Sequence, residues 1–232
     1  MSTDEATAGG HAVPADRPAA LRALLARRSV APRRLGPPGP DARALAQAVR
    51  AALRGPDHGK LAPWRLIDIE AARHGELGEL FAEEKLRRDP LASSADVARA
   101  REHATRAPTL LAFVVSPRSG TTVPAQEQWL AAGAALGNVL NALDALGFGA
   151  IVLSGDRCAD PVLKRALGLH DSEVLAGFIS AGTVVQVPAS ARDQPLDRVW
   201  STWGGVHPLE PASCPHADAA SGPVTLPARC AR

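Results

Sequence analysis

The segment Thr109-Leu-Leu-Ala-Phe-Val-Val-Ser116 constrains the fold of this chain more than any other. It has no polar face between its two hydroxyl-bearing ends, so it reads as a strand buried inside a sheet. The surrounding spacing predicts how that sheet is covered. A first helix starts near Pro18, sets Leu21, Leu24 and Leu25 at helical spacing, runs into Arg27-Arg28-Ser29 and ends before Pro32. The run Leu-Gly-Pro-Pro-Gly-Pro at 35–40 excludes helix and predicts a loop. A second helix begins at Asp41, which can cap it, and turns Leu45, Val49, Ala52 and Leu53 to one side before Gly55-Pro56. Residues 64–70 predict a strand with two buried faces, 72–88 a helix, and Ser94 the cap of another helix through His103. The longest helix spans 124–146, with an apolar stripe of Trp129, Leu136, Val139, Leu140, Leu143 and Leu146.

Inside that helix Gly133 and Gly137 each cost roughly 1 kcal/mol relative to alanine, and close approach of another helix is the simplest compensation. A strand at 149–153 enters the turn Ser154-Gly155, a helix at 160–167 ends at Gly168, and a last strand covers 174–185. Helices first, then strands interleaved with helices, give the class α+β rather than a regular βαβ array. Residues 1–16 read as a disordered lead-in, 17–204 as one domain, and 205–232 as a flexible tail containing Pro, Cys and His. In the proline-rich stretch from 188 onward only Leu196 to Trp203 looks ordered enough to dock.

Composition then narrows the function. Hydrophobic residues make up 46% and charged residues 22%, which is too apolar for general disorder. A net charge of +2 and 3% aromatic residues give no argument for nucleic acid, whether through phosphates or through stacking. Three cysteines (Cys158, Cys214, Cys230) do not form a secreted disulfide framework, and Asp4 and Glu5 stand where a signal peptide needs cations. No segment approaches about 18 consecutive apolar residues, so no membrane span is expected, and the chain reads as cytoplasmic.

Several segments carry candidate chemistry. Arg27-Arg28-Ser29 is either a solvated helix end favouring the C-terminal dipole or a phosphate clamp built from guanidinium forks and a hydroxyl. Residues 56–65 gather Asp57, His58, Lys60, Trp64 and Arg65, dense polar chemistry for a connection, with Asp57 tying its own backbone. The backbone N–H groups of Ser154-Gly155, at a strand end, can face a planar heterocycle. No Gly-x-Gly-x-x-Gly, P-loop or Gly-x-Ser-x-Gly occurs. His207, Cys214, His216 and Cys230 lack normal zinc spacing, so no metal site is expected.

Taken in order, these segments resemble the nitroreductase family of FMN-dependent enzymes, and its compact subgroup with His in the turn most of all. The resemblance rests on Arg27-Arg28-Ser29, the Pro-Asp-His-Gly-x-Leu-x-Pro-Trp-Arg turn at 56–65, and Glu127-Gln128. It also rests on Gly-Phe-Gly-Ala-x-x-x-Ser-Gly at 147–155 and Gly-Phe-x-x-x-Gly-Thr at 177–183. It covers about residues 20–204. It implies a central, mostly antiparallel sheet flanked by helices, and a homodimer with two FMN sites lined by both chains. It implies an oxidoreductase in which NADH or NADPH reduces FMN, and a nitroaromatic, quinone or similar small molecule accepts the electrons in ping-pong fashion. It assigns Arg27, Arg28 and Ser29 to the phosphate and ribityl side, with Arg192 as a second phosphate contact. His58 and Lys60 would reach the ring from the partner, and Val152, Leu153 and Ser154 would lie along it. No side chain is assigned a catalytic role. Ala62 stands where the family often has Gln or Arg, and Val152 and Leu153 where it often has an aromatic residue. These departures keep open a second reading, a non-catalytic flavin-binding or degenerate dimeric member of the same fold.

Overall fold

The buried segment forms a strand, Thr109–Val115, whose side chains alternate between two cores. Leu111, Phe113 and Val115 pack on one side with Ala132, Ala135 and Val139. Leu110, Ala112 and Val114 pack on the other with Leu77, Phe81 and Phe178. Successive strand side chains point to opposite faces, so an unbroken apolar run is what a strand covered on both sides requires.

The computed structural model describes residues 17–188 and 195–204. In chain order the elements are α1 (Arg17–Ala26), β1 (Leu35–Gly36), α2 (Ala42–Ala52), β2 (Trp64–Ile69), α3 (His74–Arg88), α4 (Ser94–Glu102), β3 (Thr109–Val115), α5 (Ala125–Ala145), β4 (Gly149–Leu153), α6 (Pro161–Ala166) and β5 (Val174–Val184). The strands pair antiparallel in the order β1-β5-β3-β2, and β4 also pairs with β5. Residues Phe178 to Ala181 of β5 pair with both β3 and β4, so those two strands flank it on opposite edges. Helices α2 and α5 cover one face, and α3 and α6 the other, which is the α+β arrangement of an antiparallel sheet flanked by helices. Residues 195–204 belong to a second unit, Ala191–Arg232, and contain one short 3₁₀ turn, Leu196–Arg198. The expected lead-in at 1–16 and tail at 205–232 lie outside the described residues.

Several expectations need correction. Leu35–Gly36 is not loop but a two-residue strand, with Leu35 opposite Val184 and Gly36 opposite Thr183. Glycine permits the approach, since a Cβ at residue 36 would lie 2.7 Å from Val185 Cγ1. Strand β2 is half-buried rather than covered on both faces, because it is the sheet edge. The cap of α4 is Ser93, one residue earlier than expected, in a reciprocal capping box with Asp96. Helix α2 does accept its cap from Asp41, whose carboxylate takes the Ala44 N–H at 2.8 Å. Its buried face, however, is Ala44, Ala48 and Ala52, while Leu53 is exposed. In α5 the buried stripe is likewise rotated, to Gln128, Ala131, Ala132, Ala135, Val139 and Leu143, leaving Trp129 43% exposed.

The edge strand is tied in by charge. Arg65 of β2 donates Nε to Glu173 Oε1 at 2.7 Å and Nη2 to Oε2 at 2.8 Å, a bidentate fork. The Ser116 hydroxyl also donates to Oε1, and the His170 N–H to Oε2 at 2.9 Å. The Arg65 guanidinium and these donors hold the Glu173 carboxyl down at about 2, against an ordinary 4.5. A lowered carboxylate value stabilises the fold fully above about pH 4.5, and that contribution disappears as pH falls toward 2. The shift alone is worth at most about 3 kcal/mol. The Arg65 end is open to water, so about 1–2 kcal/mol is the expected net. Glu173→Gln should therefore lower the denaturation midpoint at pH 7, and the gap to the parent protein should narrow in melts repeated at pH 3.

Candidate functional site

Two contacts fix the arginine segment to the sheet. Ser29 forms a parallel bridge with Ala150, and the Val30 N–H donates to the Ala150 carbonyl at 3.0 Å. Val30 is then buried against Leu35, Ala107 and Val184, an apolar plug directly behind the charged residues. Gly149 makes the room: a Cβ there would lie 2.6 Å from Val184 Cγ2. Arg27, Arg28 and Ser29 thus sit beside the start of β4, and Val152, Leu153 and the exposed Ser154 sit at its end. The Arg28 guanidinium turns back onto α1, donating to the carbonyls of Leu25 at 2.8 Å and Arg27 at 3.0 Å. It satisfies carbonyls that a helix end leaves open, the bland reading of an arginine pair. The Arg27 guanidinium and the Ser29 hydroxyl make no hydrogen bond among the described residues. After Ser154 the chain turns at Gly155, whose φ of +128° is a conformation only glycine adopts readily.

His58 and Lys60 lie in a 3₁₀ turn, His58–Lys60. His58 Nδ1 is 2.7 Å from Glu127 Oε2, on the first turn of α5. Asp57 clamps the turn: its carboxylate accepts the Ala62 N–H at 2.7 Å and its carbonyl the Lys60 N–H at 3.1 Å. The clamp opposes strain, because Lys60 (φ 52°) and Ala62 (φ 44°) are held in the left-handed region. That conformation costs a residue with a Cβ about 1–2 kcal/mol, and such strain gathers at functional turns. The Lys60 ammonium is exposed and has no partner among the described residues.

Helix α5 has 21 residues and is about 30 Å long at 1.5 Å per residue. His58 is anchored at its first turn, and Ser29 on the strand that follows its last turn. One chain therefore does not bring the arginine segment and the histidine turn together. Arg192, and the tail residues His207, Cys214, His216 and Cys230, lie outside the described residues. Among the described residues there is no metal-holding group of three or more His, Cys, Asp or Glu side chains. No described helix is long and apolar enough to cross a membrane.

Two features were not legible locally. Gln128 is 2% exposed, and its carboxamide is fully used: Oε1 accepts the Arg118 N–H at 2.7 Å, and Nε2 donates to the carbonyls of Arg118 (3.1 Å) and Val123 (3.0 Å). In the Glu127-Gln128 pair one residue meets His58 and the other holds the 118–123 loop against α5. The second feature is a cavity of about 270 Å³ on the α3 side of the sheet, with Leu153 and Ser154 in its wall. Its other walls come from segments far apart in the chain.

The nitroreductase family model matches residues 24–183. The Escherichia coli K12 protein named "Putative NAD(P)H nitroreductase YdjA" is 34% identical over 167 residues, spanning 71% of this chain and 87% of that protein. Among solved structures, a nitroreductase-like family protein from Bacillus cereus superposes with a TM-score of 0.64 at 17% identity, covering 80% of this chain and 96% of the other. An NADPH:FMN oxidoreductase from Vibrio harveyi, complexed with NAD+, gives 0.62 at 15% identity, covering 79% and 76%. At these identities the two structures speak for the fold.

Replacing Gln128 with Leu would leave one N–H and two carbonyls of the loop without their partner in a closed site. Each buried, unsatisfied group costs about 1–3 kcal/mol. For three groups the expected loss is about 3 kcal/mol in urea unfolding, the low end because the two Arg118 bonds are only part-buried, and an unchanged midpoint would show that the loop does not depend on this residue.

Proposed function

The chain belongs to the nitroreductase family, and from that premise we propose that it is an FMN-dependent oxidoreductase using NADH or NADPH to reduce a nitroaromatic, quinone or similar small molecule. The observation that carries the reading is the pinning of Arg27 and Ser29, with unengaged donors, beside the strand that leads into Ser154. A guanidinium fork and a hydroxyl suit a phosphate, and an exposed strand end followed by a glycine turn suits the edge of a flat ring. The residues present fit the cofactor as two half-sites, one on each of two copies.

A second copy is supported by the surface. Leu21, Leu24 and Leu25 of α1 are 57%, 54% and 69% exposed, and Leu130 of α5 is 68% exposed. A Cβ at Gly133 or Gly137 would meet no atom within 4 Å, so no contact among the described residues explains them. Pairing of two such faces would explain both, and symmetric dimers are the usual closed assembly. His58 and Lys60 of one copy would then complete the site begun by Arg27 of the other.

Bound FMN supplies the hydride and electron transfer itself. The protein residues have simpler tasks. Arg27 and Ser29 hold the phosphate side, joined by Arg192, while Arg28 keeps the helix end in place. Val152, Leu153 and Ser154 form the surface beside the ring. Lys60 puts a cation near its pyrimidine edge, and His58, braced by Glu127, positions the turn. Donor and acceptor use the same place in turn, which is ping-pong kinetics, and no side chain serves as nucleophile or general acid. The sparse cysteines support a cytoplasmic setting.

Absorbance of the freshly purified protein tests this reading. Flavin bands that bleach on adding NADH or NADPH and return with a quinone are expected. Ala62, Val152 and Leu153, with no polar or aromatic contact to offer, favour the second reading; yellow protein that neither nucleotide bleaches would establish the binder, and colourless protein that takes up no FMN the degenerate case.

Two substitutions probe the assignments. Arg27→Ala should weaken FMN in a reconstitution titration by about ten- to a hundredfold, since a charge-assisted bond is worth about 1.5–3 kcal/mol. Lys60→Met should leave FMN bound but lower its two-electron potential, by roughly 30 mV for each 1.4 kcal/mol of lost attraction. Spectroelectrochemistry of the two proteins checks this, and an unchanged potential would make Lys60 a bystander.

A further inference from the structure

The cavity on the α3 side has an apolar floor and a cationic rim. Leu110 of β3 and Phe178 of β5 form the floor, with Phe81 of α3 beside them. Arg33, Arg106 and Arg157 line the rim. Arg106 is committed to Glu102. Arg33 has no hydrogen bond or ion pair among the described residues. Arg157 lies with its guanidinium carbon 4.4 Å from the Phe81 ring centroid, and its Nη2 donates to His103 Nδ1 at 3.1 Å. It makes no ion pair among the described residues, and Glu84, whose charge reaches it, is held by Arg88 at 2.6 Å. Burial and the two neighbouring arginines push the His103 value down, so the ring stays neutral and adds no competing charge.

Beside these cations is a hydroxyl without a partner. Ser180 is fully buried, and its Oγ is one of the two buried side-chain polar atoms that lack any hydrogen bond among the described residues. It stands two residues from Phe178 on β5, hence on the same face, and lines the cavity. An unsatisfied buried hydroxyl costs about 1–3 kcal/mol. The cavity, about 270 Å³, has room for one small ring beside this hydroxyl.

We propose that this cavity is a binding site for a small monocyclic aromatic carboxylate. The ring lies on the Phe81 and Phe178 side, the carboxylate takes the Arg157 fork, and the Ser180 hydroxyl donates to it. Arg33 supplies further positive potential at the mouth. The planar fork of an arginine matches the planar carboxylate, and the apolar floor selects an arene over acetate. The site shares Leu153 and Ser154 with the residues assigned to the flavin, yet none of Arg157, His103 or Ser180 belongs to that assignment. It therefore stands whether or not the flavin reading holds.

The test uses 4-fluorobenzoate, followed by fluorine NMR and calorimetry, on the full chain as purified and again after saturation with FMN. Saturable binding of one molecule per chain under both conditions is expected, with 4-fluorobenzamide, the neutral isostere, at least tenfold weaker. Arg157→Met and Ser180→Ala should each weaken 4-fluorobenzoate by roughly ten- to a hundredfold, the range for hydrogen bonds made to a charged group. Arg157→Lys keeps the charge but loses the fork, so it should also bind more weakly; it serves if Arg157→Met does not fold, with the thermal midpoint confirming an intact protein. Equal affinity for benzoate and benzamide, full affinity in folded Arg157→Lys and Ser180→Ala, or absence of saturable binding would each overturn the proposal. Competition between 4-fluorobenzoate and FMN would overturn it too, by showing the cavity to be part of the flavin site.

Discussion

Strand β5 is the constraint on which the rest of the structure depends. Its eleven residues pair with β3 along one edge, with β4 along the other, and with β1 near its end. Every layer is therefore referred to one strand. Ile179 and Ala181 face the α5 core, whereas Phe178 and Ser180 face the α3 core. A shift of one residue would exchange those sets and bring a hydroxyl to the α5 side. The same strand carries the floor of the cavity and pairs with β4, which leads into Ser154, so core and candidate site share one register.

The candidate site residues then sit where this frame leaves them. The arginine segment reaches β4 through backbone contacts that any residue can make; Arg28 then turns back onto α1, and the Arg27 guanidinium makes no hydrogen bond among the described residues. The histidine turn is held by Asp57 and Glu127, two acidic groups that spend their bonds on backbone and on His58. Helix α5 separates the two places by its own length. Within one chain the two segments therefore stay apart, and exposed leucines lie on α1 beside the arginine segment.

How far the sequence foretold this differs by residue. The strand at 109–115 was plain because both its faces are apolar, and the Asp41 cap and the Asp57 clamp because their partners lie within five residues. The strand at Leu35–Gly36 was hidden because its partner is about 150 positions away and two prolines follow it. In α5 the apolar pattern included Trp129 and Leu146, but hydrophobicity does not say which apolar face its own chain covers; alanines took the inside. Arg27 and Arg28 are alike as letters, and only the backtracking of Arg28 onto Leu25 separates them. The group of Arg157, His103 and Ser180 joins three elements with no local spacing, so no motif announces it.

The bridge between Ser29 and Ala150 links positions 121 residues apart through a contact that involves no side chain chemistry. Insertions and deletions across the intervening chain can therefore be absorbed wherever they fall in connections, provided the bridge re-forms. A deletion at Gly147 or Phe148 is a different matter. The short link from α5 would have to be made up by drawing on β4, and Ile151 would be pulled into the place of Ala150 against Val30. Length variation in this chain is thus cheapest in connections that carry no such clamp and costly in one three-residue corner, where the end of a helix sets the position of a strand and, through it, of an arginine more than a hundred residues upstream.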